Sequence, residues 1–138
     1  MIKIIYGEKG TGKTKRIIDM ANEIADKAKG SIVFLDDDKR YMYDLKSSIR
    51  FIDSREHLIS GPKLFTGFIS GMAAQDFDLE YIFVDGFLRM IKHPLDTLKE
   101  MFDVLERFTA ERGITIVMSI SGSDCDFPDF AKKYLIEV

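Results

Sequence analysis

A chain of 138 residues that is 46% hydrophobic and 31% charged has the make-up of a soluble globular protein, and we expect one domain over residues 1–138. Its net charge of -3, with basic residues scattered along the chain, gives no electrostatic reason to expect a nucleic acid or a membrane surface as partner. The single cysteine excludes an internal disulfide, and with no secretory leader or membrane-length apolar run the expected location is the cytoplasm.

The first predicted elements are a strand over residues 2–6 and a helix over residues 13–29. The strand is nearly continuous in apolar residues, as in parallel sheets that are covered on both faces. The helix is predicted from apolar residues that recur on one face, namely Ile17, Ala21, Ile24 and Ala28. Gly30 follows this stripe, and we expect it to end the helix in the left-handed conformation.

Apolar runs and helical stripes alternate along the rest of the chain. The predicted strands cover residues 31–35, 81–84, 114–120 and 134–138, with a weaker candidate at 48–52. A short helical stripe spans residues 64–72, where the spacing of Gly67 and Gly71 is interpreted as close helix–sheet packing. A longer helix is predicted over residues 94–112 and closed by Gly113. This alternation predicts right-handed crossovers and an α/β fold, a three-layer α/β/α sandwich whose mostly parallel sheet has five or six strands.

The loop between the first strand and helix, residues 7–14, reads GEKGTGKT and fits the phosphate-binding pattern G-x-x-x-x-G-K-[ST], the P-loop. A polyphosphate needs several main-chain N–H donors converging on its oxygens, and glycines supply both the room and the unusual dihedral angles. The following helix directs its free N–H groups at the same anion. A chance glycine-rich turn is the alternative, but the position between a strand and a helix is the one that the motif requires. We expect phosphate contacts from Gly7, Glu8, Lys9, Gly10, Thr11, Gly12, Lys13, Thr14 and Lys15.

Two side chains of this loop and one aspartate further along are expected to have specific roles. Lys13 would reach the β- and γ-phosphates, and the Thr14 hydroxyl would ligate Mg²⁺. Asp85 directly follows the predicted strand at 81–84, where a carboxylate can hold the water shell of the same ion, as a Walker B aspartate does. The alternative for Asp85 is an aspartate that merely ends a strand.

The segments IKIIYGEKGTGKT, SIVFLDDDKR, YIFVDG and ITIVMSISGS resemble, in that order, the RecA-like group of P-loop ATPases. The resemblance implies an acid past the second strand that activates water, and it puts Asp36 and Asp38 at the places of that group's D-x-E pattern, with Asp38 in the catalytic role. It also implies a polar sensor at the tip of the last strand, which falls on Ser121. The chain departs from the pattern at Gly122, where a glutamine is common, and at Gly86, where many ATPases have a glutamate. The same acidic run could instead cap the helix that follows it.

The function predicted from these residues is Mg²⁺-dependent ATP binding with slow ATP hydrolysis. ATP is favoured over GTP by the resemblance, since the sequence has no guanine-reading motif. The alternatives are a nucleotide sensor or scaffold without hydrolysis and, less favoured because no arginine follows Gly113 to form a lid, a small-molecule kinase. The resemblance further implies that the chain works with a second copy of itself or with a protein partner.

Overall fold

The computed structural model describes residues 1–123 and 126–136. Its strands are β1 (Ile2–Gly7), β2 (Ser31–Asp36), β3 (Ile49–Asp53), β4 (Leu79–Val84) and β5 (Thr115–Ser121). Its α-helices are α1 (Lys13–Ala25), α2 (Pro62–Gln75), α3 (Phe87–Ile91) and α4 (Lys99–Arg112). Short 3-10 helices cover Lys39–Asp44, Leu95–Thr97 and Asp129–Tyr134.

The five strands form one parallel sheet in the order β1-β5-β4-β2-β3. Successive residues of a strand point to opposite faces, so each strand contributes to two separate apolar clusters. The cluster against α1 contains Ile5 and Phe34. The cluster against the other helices contains the preceding residue of β1, Ile4, and the following residue of β2, Leu35. Helices therefore cover both faces, and the predicted three-layer α/β/α class is confirmed.

Of the two remaining strand predictions, the weaker one at residues 48–52 completes the five-stranded sheet, and the one at residues 134–138 does not. The candidate at 48–52 forms β3, which pairs with β2 along its whole length. At the other end of the chain a 3-10 helix continues to Tyr134, whose ring stacks on Phe102 with 5.5 Å between centroids. A single parallel bridge between Ile4 and Leu135 follows, and residues 137 and 138 lie outside the described part. Packing of the Tyr134 ring against α4 thus replaces the start of the predicted strand.

The long helix predicted over residues 94–112 is divided. Pro94 has an extended backbone (φ -60°, ψ 142°) and lies outside the helix, and the 3-10 turn Leu95–Thr97 follows it. α4 begins only at Lys99 and ends at Gly113, whose φ of 69° is the left-handed stop that the sequence predicts. None of the helices in the described residues combines the length and apolar character that a bilayer crossing requires.

Three glycines have roles that differ from the sequence interpretation. α1 ends at Ala25, well before Gly30, which does not have a positive φ. A methyl group on Gly30 would lie 2.0 Å from the carbonyl oxygen of Asp78, so this position is glycine because another backbone segment passes close by, and the helix-stop prediction was wrong. Methyl groups on Gly67 or Gly71 would meet nothing within 4 Å, so the prediction of close packing there was wrong as well.

All strands run in one direction, and their carboxyl ends therefore lie along one edge of the sheet. The end of β1 leads into the loop at residues 7–14, β2 ends at Asp36, and Asp85 directly follows β4. β1 and β4 are not neighbours, because β5 lies between them. The loop at residues 7–14, Asp36 and Asp85 thus lie at the same edge although they are far apart in the sequence.

Candidate functional site

A polar cleft of about 550 Å³ opens at the carboxyl edge of the sheet. Its walls come from the loop after β1, the end of β2 and the segment after β4, and include Lys9, Thr14, Asp36, Asp37, Asp85 and Arg89. Carboxylates and cations thus face one cavity from three separate segments of the chain. Such a cavity suits a ligand that carries both negative charge and a bound cation.

The loop between β1 and α1 is held in a curled shape by two glycines in the left-handed region. Gly10 has a φ of 85° and Gly12, which caps α1, has a φ of 87°. A methyl group on either residue would meet nothing within 4 Å, so the requirement for glycine is conformational and not a matter of packing. The loop therefore has the backbone that its sequence pattern predicts.

Within the described residues, no hydrogen bond is found from the main-chain N–H groups of Lys9, Gly10, Gly12, Lys13 and Thr14. The loop is closed instead through one carbonyl oxygen, that of Glu8, which accepts from Thr11 Oγ1 at 2.7 Å and from Lys13 Nζ at 2.8 Å. These bonds use side-chain donors, so they leave the amides available. A series of unbonded amides at a helix N-terminus can bind an anion.

The Lys13 ammonium, which donates to the Glu8 carbonyl oxygen, is influenced by charges on the segment after β4. Burial lowers the pKa of Lys13, the Asp85 carboxylate opposes that shift, and the Arg89 guanidinium adds to it. Asp85 and Arg89 are therefore close enough to act on Lys13 electrostatically. The loop at residues 7–14 and the segment after β4 therefore interact electrostatically.

Asp85 is held by hydroxyl groups from two other elements. Thr14 Oγ1 donates to its Oδ2 at 3.0 Å, and Ser119 Oγ donates to its Oδ1 at 2.5 Å. Ser119 in turn accepts a hydrogen bond from the Gly86 amide at 2.9 Å. Asp85 is only 4% exposed, so these donors stabilise a buried carboxylate. The sequence predicted that Asp85 and Thr14 would lie around the same Mg²⁺ ion; the structure brings the two side chains into direct contact, and the shared ion stays a prediction.

Asp36 is a second buried carboxyl group in the cleft. It is 0% exposed, and burial, followed by the nearby charges of Asp85 and Asp37, raises its pKa to about 8. When ionised, Asp36 accepts a hydrogen bond at Oδ1 from the Asp38 amide, but its Oδ2 has no donor within the described residues. A buried carboxyl oxygen without a donor is rare in proteins, and a proton on Asp36, in keeping with its raised pKa, or a bound cation would satisfy it.

The other two aspartates of this run are bound to arginines. Arg89 donates two hydrogen bonds to Asp37, which lower the pKa of Asp37. Asp38 caps the 3-10 helix at Lys39–Asp44 by accepting from the Arg40 amide, and it also pairs with the Arg40 guanidinium. Hydrogen bonds from Arg40 lower the pKa of Asp38. The capping alternative is therefore what the structure shows for Asp38, and its role in activating water stays a prediction.

The oxygen groups at this edge fit a hard divalent cation. Hydroxyl and carboxylate oxygens of the kind contributed by Thr14, Asp36 and Asp85 are the ligands that Mg²⁺ prefers. Within the described part of the chain, no three carboxyl, imidazole or thiol groups converge closely enough to hold a metal by themselves. Mg²⁺ commonly relies on water and substrate phosphate for its remaining ligands, so a partial protein site of this kind suits it.

Two predicted site residues lie apart from this arrangement, and one contact residue was missed. The Lys15 ammonium pairs with Asp19 on the exposed surface of α1. Ser121 pairs in register with Gly7, and its side chain is exposed. The serine that contacts Asp85 is Ser119, which sequence reasoning did not identify. Its signal was a polar residue within the otherwise apolar run ITIVMSI.

Comparison with known proteins identifies the fold. No protein-family model matches the sequence, and no curated protein matches it. Among solved structures, the chain is similar to the flagellar accessory protein FlaH from Methanocaldococcus jannaschii, with a TM-score of 0.57 at 15% sequence identity. The match covers 93% of this chain and 63% of FlaH, so this chain spans less than two thirds of its structural neighbour. At this level of identity the likeness concerns the fold alone.

Proposed function

We propose that this chain binds a nucleoside triphosphate, ATP, together with Mg²⁺ in the cleft at the carboxyl edge of the sheet. The proposal rests on one observation: the loop at residues 7–14 presents unbonded main-chain amides at the start of α1. A triphosphate offers the several acceptor oxygens that such a loop needs. Lys13 is the side chain that would contact the terminal phosphates, and this would require it to leave the Glu8 carbonyl oxygen.

We propose that Mg²⁺ is held beside the phosphates by Thr14 and Asp85. When bound, the ion would neutralise negative charge on the phosphate oxygens. The support is the contact between the Thr14 hydroxyl and the Asp85 carboxylate. Ser119 would keep Asp85 oriented through its short hydrogen bond.

We propose slow hydrolysis of ATP to ADP and phosphate as the reaction. Water attacks the γ-phosphorus, the bond between this phosphorus and the β–γ bridging oxygen breaks, and a carboxylate accepts the water's proton. Asp36 is our preferred acceptor, because it lies beside Asp85 and has an oxygen without a donor, whereas Asp38 is bound by Arg40. The RecA-like resemblance and the α/β fold shared with FlaH support a nucleotide-binding role at a coarse level.

Calorimetric titration of the purified protein with ATP, ADP, AMP and GTP, with and without Mg²⁺, tests the binding proposal. We expect ATP to bind more tightly with Mg²⁺ present and AMP to bind weakly, because AMP lacks the phosphates that the loop would hold. At a free ATP concentration of a hundred times Kd, binding should add about 2.7 kcal/mol to the unfolding free energy. Lys13→Ala should remove most of this gain, whereas Lys29→Ala, far from the loop, should retain it. Absence of binding by every nucleotide would reject the proposal.

Phosphate release by matched variants tests the reaction. We expect Asp36→Asn to lose hydrolysis while still binding ATP, and Asp38→Asn to retain it. The reverse pattern would assign the role to Asp38. The second candidate function, a sensor that binds ATP without hydrolysis, is favoured by the ion pairs that Asp37 and Asp38 form with arginines. ATP binding with no phosphate release above the Lys13→Ala background would select it.

A further inference from the structure

Arg89 is folded back over the chain that carries Asp85. It belongs to α3, which begins directly after Gly86, and Gly86 has a φ of 71°. A methyl group on Gly86 would lie 2.1 Å from Arg89 Nη2, so the guanidinium occupies the space that a side chain at position 86 would need. This glycine therefore has two requirements, the left-handed backbone and the room for Arg89.

The folded position places the guanidinium in the lining of the cleft. Arg89 Nε and Nη2 donate to the two carboxylate oxygens of Asp37 at 3.1 and 3.0 Å. Nη2 also lies 3.7 Å from Oδ1 of the buried Asp36. Arg89 thus lies beside the carboxylates that end and follow β2.

An anion with more negative charge can replace Asp37 as the hydrogen-bond partner of Arg89. The side chains of Arg89 and Asp37 are 56% and 28% exposed, so water screens their attraction. A phosphate group accepts the same two-pronged hydrogen bonding from a guanidinium and carries more negative charge. Arg89 lines the same cleft as Lys9 and Thr14 of the loop, so its guanidinium faces the cavity in which the phosphates would lie.

We propose that Arg89 exchanges Asp37 for the terminal phosphate of a bound nucleoside triphosphate, so that it distinguishes ATP from ADP. This inference rests on the proposed function and assigns a specificity residue to that site. Lys13 and Arg89 together hold the γ-phosphate between the loop and α3. With ADP, which lacks that phosphate, Arg89 stays on Asp37.

The ratio of the ADP and ATP dissociation constants tests this exchange. In Arg89→Ala, the Kd for Mg²⁺–ATP should rise about tenfold or more, while the Kd for Mg²⁺–ADP stays within about twofold of the wild type. Arg55→Ala is the matched control: Arg55 lines the same cleft and pairs with the strand-end Asp53, with its side chain 66% exposed. Its ADP-to-ATP ratio should equal that of the wild type.

Asp37→Asn provides a second variant should Arg89→Ala fold poorly. Removing its resting partner frees Arg89, so ATP should bind about two to five times more tightly relative to ADP. In the double variant with Arg89→Ala this change in the ratio should disappear. A wild type that binds neither nucleotide overturns the proposed function and this inference together. A wild type that binds both, with an unchanged ratio in Arg89→Ala or an equal change in Arg55→Ala, overturns only the inference.

Discussion

The Ser119 hydroxyl donates a 2.5 Å hydrogen bond to Oδ1 of Asp85, and the two side chains are only 2% and 4% exposed. The same hydroxyl accepts from the Gly86 amide, so one serine on β5 fixes both the carboxylate and the turn that follows β4. This donor therefore helps to hold the Asp85 side chain in one orientation. Ser119 therefore connects β5 to Asp85 and to the turn that follows β4.

Replacing Ser119 by alanine should destabilise the protein by about 1.5–3 kcal/mol, the usual effect of removing a hydrogen bond to a buried charged group. Chemical denaturation of both proteins without nucleotide measures it. The control is Ser121→Ala, two residues along the same strand with an exposed side chain, which should change stability by less than about 0.5 kcal/mol. Equal effects of the two substitutions would contradict the structural role of Ser119.

Asp36 should make the stability of the metal-free protein depend on pH. The pKa of Asp36 is raised to about 8 in the folded state, whereas an aspartate in an unfolded chain titrates near 3.9. The folded state binds this proton more tightly, so the contribution is fully present below about pH 4 and is lost as the pH rises through about 8.

Asp36→Asn should match the wild type near pH 5 and exceed its stability by about 2–4 kcal/mol at pH 9. Melting curves in the presence of a chelator measure this difference. Asp38→Asn serves as the comparison, because the pKa of Asp38 is lowered and that group stays ionised over this range. If the stabilities of the wild type and of Asp36→Asn change in parallel from pH 5 to pH 9, the pKa of Asp36 is not raised by burial in the folded state.

Gly67→Ala and Gly71→Ala should each stabilise the protein by about 0.5–1 kcal/mol, because both glycines lie inside α2 and alanine favours the helix. The space around them is open, so the added methyl groups meet no neighbour. Gly30→Ala is the opposite case and should be strongly destabilising, since its methyl group would lie 2.0 Å from the Asp78 carbonyl oxygen. Denaturant midpoints of the three variants would show the contrast directly.

Gly12→Ala should lower stability by about 1–2 kcal/mol, because alanine is strained at a φ of 87°. It should also reduce the rise in melting temperature that ATP and Mg²⁺ produce, since relief of that strain reorients the loop amides. Gly61→Ala is the matched control: Gly61 caps α2 with a φ of 85° and lies outside the cleft. It should cost at least as much stability but keep the full nucleotide effect.

Much of the fold could be predicted because apolar runs and helical stripes report burial directly. The runs that became β2 and β4 are apolar on both faces, which only a covered parallel sheet explains. The segment at 134–138 has the same apolar pattern, yet the Tyr134 ring packs on Phe102 of α4. That choice depends on the arrangement of α4, which no local pattern contains.

In the site, too, features set by neighbouring residues could be predicted from the sequence, and features set by tertiary contacts could not. The loop at residues 7–14 is a continuous motif, and its curled backbone follows from its own glycines. The role of Ser119 could not be predicted in the same way, because it depends on β5 lying beside β4. The capping role of Asp38 and the pairing of Asp37 with Arg89 likewise follow from three-dimensional neighbours, which is why the acidic run alone left two interpretations open.

The position of β5 in the sheet also has a consequence for how the molecule matures. β1 and β4 each pair with β5 and not with one another, so nothing in the sheet fixes their separation until this late segment of the sequence has inserted between them. Thr14 and Asp85 can therefore meet only in a nearly finished fold. Any ligand that uses both Thr14 and Asp85 would therefore require β5 to be paired with both of its neighbours.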